Sequence, residues 1–208
     1  MKVMIATPTA GMVHAMYASS LASLIVYYQN MQIFENSTER QDVALLMMLG
    51  SSIPDNREKI VESTLKMNCS HLLFIDDDMG FEADCLNIAL SRQKPIILGN
   101  YRMKVAPYPF LCRNVENTEA VQTTSESTGI EPVSFGGFGF ALLERQVLET
   151  VKRPRFLPRW SDEYKCYTTE DKPFFEGCIA AGFQPHVDHE VSKRLWHNGN
   201  FEYRYKGV

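Results

Sequence analysis

Three aspartates in a row, Asp76-Asp77-Asp78, follow the apolar run His71–Ile75. Adjacent carboxylates repel one another, and a bound cation would remove that cost. Mg²⁺ and Mn²⁺ favour oxygen ligands and commonly take one or two carboxylates together with substrate phosphates. On an extended backbone, residues two apart point the same way, so Asp76 and Asp78 are expected to converge while Asp77 points elsewhere. A solvated acidic turn is the alternative, and the apolar strand just before the triplet weighs against it.

Three other clusters carry chemistry. Thr168-Thr169-Glu170-Asp171 precedes Pro173-Phe174-Phe175. A threonine there would cap a helix, and the acids suit the positive end of its dipole. The functional reading is a carboxylate aimed into a crevice as a general base. Ser134-Phe135-Gly136-Gly137-Phe138-Gly139 lacks the Gly-x-Gly-x-x-Gly spacing and precedes a strand, so it is no dinucleotide fingerprint. Glycine at such a place permits a kink or a close approach of backbone to ligand. Trp196-His197-Asn198-Gly199 supplies an imidazole that can complete a metal shell or contact a diphosphate, although a lone histidine in a polar tail is ordinarily just solvated.

The elements that must position these groups alternate. A buried strand is expected over residues 2–6, then a turn at Thr7-Pro8-Thr9-Ala10-Gly11 and a helix over 12–28. A second buried strand covers 43–49, and a helix opens at Ser52-Ile53-Pro54 and runs over 55–67. His71–Ile75 is the third strand, 81–91 a short helix and 95–98 a fourth strand. Residues 100–132 read as polar and irregular, either holding a hairpin or forming a lid over 104–132. Strand, kink and strand follow over 133–143, then helices over 144–151 and 171–181 and a last strand over 185–188. Such alternation implies parallel pairing in a layered α/β domain whose first half is Rossmann-like. Ligands of these sheets bind beyond the carboxyl ends of the strands, where both Thr7-Pro8 and the acidic triplet fall.

Bulk properties set limits. The 208 residues are 45% hydrophobic and 22% charged, which suits one globular domain. A net charge of -4 advertises no nucleic-acid-binding surface. The longest apolar stretches are strand length, so no membrane span is expected. The N-terminus reads directly into a strand rather than a signal peptide. Five cysteines without a Cys-x-x-Cys pair argue for free thiols in a reducing cytoplasm.

Taken in order, the signals resemble the glycosyltransferase-A fold and, within it, the family-2-like inverting glycosyltransferases. The resemblance covers nearly the whole chain. It is carried by Ala6-Thr7-Pro8-Thr9, Asp55-Asn56-Arg57, the run from His71 to Met79, Gly99-Asn100-Tyr101-Arg102, Gly136-Gly137-Phe138-Gly139, Glu170-Asp171 with Ala181-Gly182, and His197. It implies a Rossmann-like α/β domain, single and mostly parallel in its central sheet, with residues 1–99 binding nucleotide and 100–208 serving acceptor and catalysis. It further implies metal-dependent, inverting transfer from a nucleotide-sugar, most simply a UDP-sugar with Mn²⁺ or Mg²⁺, to an acceptor hydroxyl on a saccharide, a protein or a modified nucleic-acid base.

Residue by residue, Asp76 and Asp78 match the metal-binding Asp-x-Asp, with Asp78 the direct ligand and Asp76 nearer ribose or metal water. Asp77 lies between them on the donor. Thr7 and Pro8 match the segment lining the base, and Arg57 a position facing base or diphosphate. Gly136 and Gly137 would wall the transferred sugar, Asp171 would be the base with Glu170 beside it, and His197 a late metal or phosphate contact. The chain is shorter than many relatives, which leaves the acceptor open. A sugar-phosphate nucleotidyltransferase is the rival, but it calls for a basic, Gly-rich loop after the first strand, and Thr7-Pro8-Thr9-Ala10-Gly11 has no basic residue. A non-catalytic nucleotide-sugar or carbohydrate binder is the third reading.

Overall fold

The computed structural model describes residues 1–31, 41–162 and 165–207. In chain order these form β1 (Lys2–Thr9), α1 (Ala15–Asn30), β2 (Asp42–Leu49), α2 (Ile53–Lys66), β3 (His71–Ile75), β4 (Met79–Phe81), α3 (Cys85–Ser91), β5 (Ile96–Gly99) and β6 (Ile130–Pro132). There follow β7 (Phe140–Glu144), α4 (Arg145–Thr150), β8 (Trp160–Ser161), β9 (Cys166–Tyr167), α5 (Asp171–Ala180), β10 (His186–Asp188), α6 (His189–Lys193), β11 (Leu195–Asn198) and β12 (Glu202–Arg204).

The central sheet runs β2-β1-β3-β7-β5-β10-β6. Strand β1 is parallel to β2 and β3, and β10 is parallel to β5. Strand β7 lies antiparallel between β3 and β5, and β6 is antiparallel to β10 at the edge. Side-chain alternation divides the inner strands between two cores. Met4, Ala6, Leu72, Phe74, Ala141 and Leu143 pack with α2, α4 and α5 on one face. Val3, Ile5, Leu73, Ile75, Phe140 and Leu142 pack with α1 and α3 on the other. Burial on both faces explains why β1 and β3 read as unbroken apolar runs.

Strand β2 differs from the expected buried strand. It is the outer strand of the sheet, and its Leu45, Met47 and Leu49 are 49%, 39% and 68% exposed. An apolar run does not announce whether it sits at the edge. Strand β1 also runs on through Thr9, so Thr7 and Pro8 are strand rather than turn. The turn comes after them, where Thr9 Oγ1 accepts from Gly11 N at 3.2 Å and donates to Met12 O at 3.0 Å. Helix α1 therefore begins later, with His14 Nδ1 accepting from Met16 N at its cap.

The acidic triplet is a turn, with Met79 N donating to Asp76 O at 3.2 Å. It leads into β4, which pairs antiparallel with β11, and β12 completes a small three-stranded sheet. That sheet carries the C-terminal histidine back to the acids: His197 is in register with Met79.

Residues 109–132, within the segment 104–132 read as a hairpin or lid, are tied to the rest of the fold by side-chain hydrogen bonds. Asn100 donates through Nδ2 to Val121 O at 2.9 Å and accepts at Oδ1 from Cys112 N at 3.0 Å. Thr123 Oγ1 lies 3.0 Å from His189 Nδ1, and Gly129 N donates to Glu190 Oε2 at 2.9 Å. Phe110, Cys112, Val121 and Thr123 are buried. The short excursion over 103–108 carries the exposed Met103 and Val105. All five cysteines are free, four of them buried and Cys166 exposed. Among the described residues, no helix is long and apolar enough to cross a membrane.

Candidate active site

Asp78 is held from several sides. Its backbone carbonyl accepts from Asn198 N at 2.7 Å. Its Oδ2 accepts from the Lys104 ammonium and lies 3.2 Å from His197 Nε2. Burial pushes its carboxyl upward, but the hydrogen bonds from His197 and Lys104 outweigh that and hold it at about 2. His197 is oriented in turn. Its Nδ1 lies 3.1 Å from Arg102 O, which can only accept, so Nδ1 donates there. A neutral ring then aims the Nε2 lone pair at a carboxylate oxygen. Two acceptors face each other, and either a proton on Nε2 or a shared cation must lie between them.

Asp76 goes elsewhere. Its Oδ1 lies 3.2 Å from Arg57 Nη2, and Arg57 Nε lies 3.3 Å from Glu170 Oε1. The guanidinium is 4% exposed and sits over the Phe138 ring at 4.3 Å. Arg57 thus joins the acidic turn to the start of α5. The triplet is a turn where an extended backbone was expected, so Asp76 Oδ1 meets Arg57 while Asp78 Oδ2 meets Lys104 and His197. Asp77 offers its carbonyl to His14 N at 3.0 Å.

Asp171 opens α5. No side chain caps this helix: Thr168 instead closes the β8–β9 hairpin, its N donating to Arg159 O and its Oγ1 accepting from Arg159 N. Among the described residues, Asp171 Oδ1 is buried with no hydrogen-bond partner. Burial raises its carboxyl to about 7, with Arg57 opposing and the charges of Glu170 and Asp76 adding to the rise. A carboxyl with one free oxygen and a pKa near neutrality is what general-base work requires.

The glycines and the opening strand have packing roles. A Cβ on Gly136 would meet Cys112 Sγ at 2.7 Å, and one on Gly137 would meet Tyr101 Oη at 2.2 Å. Tyr101 Oη accepts from Gly139 N at 3.0 Å, and its ring meets His197 edge-on with centroids 5.3 Å apart. Gly136 and Gly137 thus make room for Cys112, Tyr101 and Leu111. Gly137→Ala should cost about 1–3 kcal/mol by overpacking; an unchanged melting temperature would sink that role. Thr7 is buried with its hydroxyl on Tyr17, whose own hydroxyl burial pushes up to about 12, and Pro8 is buried within β1. Both side chains are buried, and the chain becomes exposed over residues 10–16. Nothing local in the sequence marks Lys104 for the site, and Tyr101 stands out there only as part of the run Gly99–Arg102.

Among the described residues no three His, Cys, Asp or Glu side chains form a ready-made metal cage. Asp78 and His197 nevertheless suit a divalent ion that takes few protein ligands and fills its shell with phosphate oxygens and water. A ring whose far N–H is fixed on a backbone carbonyl is the usual state of a ligating histidine.

No protein-family profile matches the sequence. No curated protein matches it either. Solved structures do. The crystal structure of A197 from STIV aligns with a TM-score of 0.65 and 17% identity, covering 100% of this chain and 92% of that one. The crystal structure of GalNAc-T7 with UDP, GalNAc and Mn²⁺ aligns with a TM-score of 0.58 and 8% identity, over 96% of this chain. This chain spans 43% of that protein's length. Likeness at such identity speaks for the fold, which is the glycosyltransferase-A fold with its mostly parallel central sheet.

Proposed function

We propose that this chain is a metal-dependent, inverting glycosyltransferase that moves a sugar from a nucleotide-sugar, a UDP-sugar, to an acceptor hydroxyl. The observation that carries the reading is Asp171: a carboxyl at about 7 with an unpartnered oxygen, electrostatically coupled to the acidic turn through Arg57 and Asp76. The UDP and Mn²⁺ in the crystal structure of GalNAc-T7 support the choice of donor and metal.

In this mechanism Asp171 accepts the proton of the acceptor hydroxyl as its oxygen bonds to the anomeric carbon. The bond from that carbon to the nucleoside diphosphate breaks on the opposite face, which inverts the configuration. Asp78 and His197 would hold the divalent cation, whose positive charge would favour departure of the diphosphate. Arg57 fixes Asp76 and Glu170 so that Asp171 keeps its place at the helix start. General-base help of this kind contributes roughly 10²–10⁴-fold. Residues 1–99 and 100–208 act as donor and acceptor halves of one domain, with His197 crossing over to the donor side.

The test is product analysis with a panel of sugar nucleotides and Mn²⁺. Release of nucleoside diphosphate is the expected outcome. Pyrophosphate would favour a nucleotidyltransferase, and no product from any donor would favour a binding protein.

A further inference from the structure

The geometry points to Lys104 as a built-in counter-ion of the donor site, holding Asp78 until a divalent cation takes its place. The inference rests on the metal-dependent reading above and concerns how that site is regulated.

Lys104 projects from the excursion over residues 103–108, which is fastened at its base. The Arg102 guanidinium donates to the carbonyls of Tyr108 at 2.9 Å, Arg204 at 3.1 Å and Tyr205 at 3.0 Å. Met103 N donates to Pro109 O at 2.9 Å, and Tyr108 N to Val105 O at 2.8 Å. The backbone around Lys104 is therefore fixed, and its flexible stem is the part free to move. That stem passes Gly199, where a Cβ would lie 3.3 Å from Lys104 Cδ. The ammonium ends on Asp78 Oδ2, the oxygen that also faces His197 Nε2.

A second cation cannot reach that same oxygen and imidazole while the ammonium is there, because like charges at contact distance repel strongly. Without Lys104, the partly buried Asp78 Oδ2 would lose its ammonium partner, at a desolvation cost. Lys104 removes that cost and keeps Asp78 aimed. It also makes a metal ion arriving alone displace a tethered cation. A donor that brings its own anionic diphosphate compensates the displaced ammonium, so metal and donor should enter together.

The test measures free Mn²⁺ by electron paramagnetic resonance during titration of the whole protein, without nucleotide. Lys104→Gln should bind Mn²⁺ about tenfold more tightly than the wild type, since the competing occupant is gone. Lys104→Arg, which keeps the charge, should stay weak, and a melting scan of each variant checks that it folds. If Lys104→Gln binds Mn²⁺ no better than wild type while Asp78→Ala loses the ion, the counter-ion role is wrong and the metal site stands. If Asp78→Ala binds Mn²⁺ as tightly as wild type, the metal site itself fails and the proposal goes with it.

Discussion

Replacing Asp171 with Asn should lower sugar transfer by about 10²-fold or more while donor binding persists, and it should also stabilise the protein above pH 7. The first effect follows from removing the base while keeping the shape. The second follows from burial. The folded carboxyl sits at about 7 against 3.8 for an ordinary aspartate. Between those values the folded chain holds a proton that the unfolded chain has released, so stability falls as pH rises. The stability that the protonated group contributes is complete below about pH 4 and lost as pH passes through about 7, a swing on the order of 4 kcal/mol. Asn never ionises, so the variant's melting temperature should exceed the wild type's at pH 8, with the gain shrinking toward pH 4. A gain independent of pH would show that buried charge is not its cause, and unchanged transfer would reduce Asp171 to a helix-start residue.

Arg57→Met should destabilise the protein by about 3–5 kcal/mol near neutral pH, the usual cost of stripping one partner from a buried ion pair. Methionine can occupy the space over Phe138, but it cannot answer Asp76 and Glu170. Burial already raises the Asp76 carboxyl against the opposing pull of Arg57. Without the guanidinium, both Asp76 and Asp171 should rise further, and the loss should lessen in acid as they protonate. Denaturant unfolding at pH 5 and pH 8 measures this directly. A cost below about 1 kcal/mol at pH 8, the range of a surface pair, would mean that Arg57 does not hold the two acids together.

Local signals were legible and long-range ones were not. His71–Ile75 stands where its apolar run predicts, and α2, capped by Ser52, and α5, which has no side-chain cap, begin within two residues of their expected starts, because such patterns act over a few neighbours. Strands β4, β11 and β12 are three or four residues long, and β4 and β11 pair across more than a hundred positions, so no local pattern marks them. Their pairing alone brings His197 to Asp78. The Gly136–Gly139 region announced a close approach, but only the fold reveals that Tyr101 is what approaches. Asp171 was legible by residue type and by its place before a helix. Its unpartnered oxygen, and the guanidinium linking it to the acidic turn, depend on how α2 and α5 pack.

The measurement that bears most directly on the central claim is the melting temperature with UDP, in Mn²⁺ and in EDTA, for the wild type and Asp78→Ala. Binding at a hundredfold excess over Kd adds about 2.7 kcal/mol, roughly 5–10 °C for a chain of this size. The wild type should show that rise with Mn²⁺ and lose it in EDTA, and Asp78→Ala should show none in either. Equal stabilisation by UDP in EDTA and in Mn²⁺ would contradict a donor site bridged by metal at Asp78 and His197.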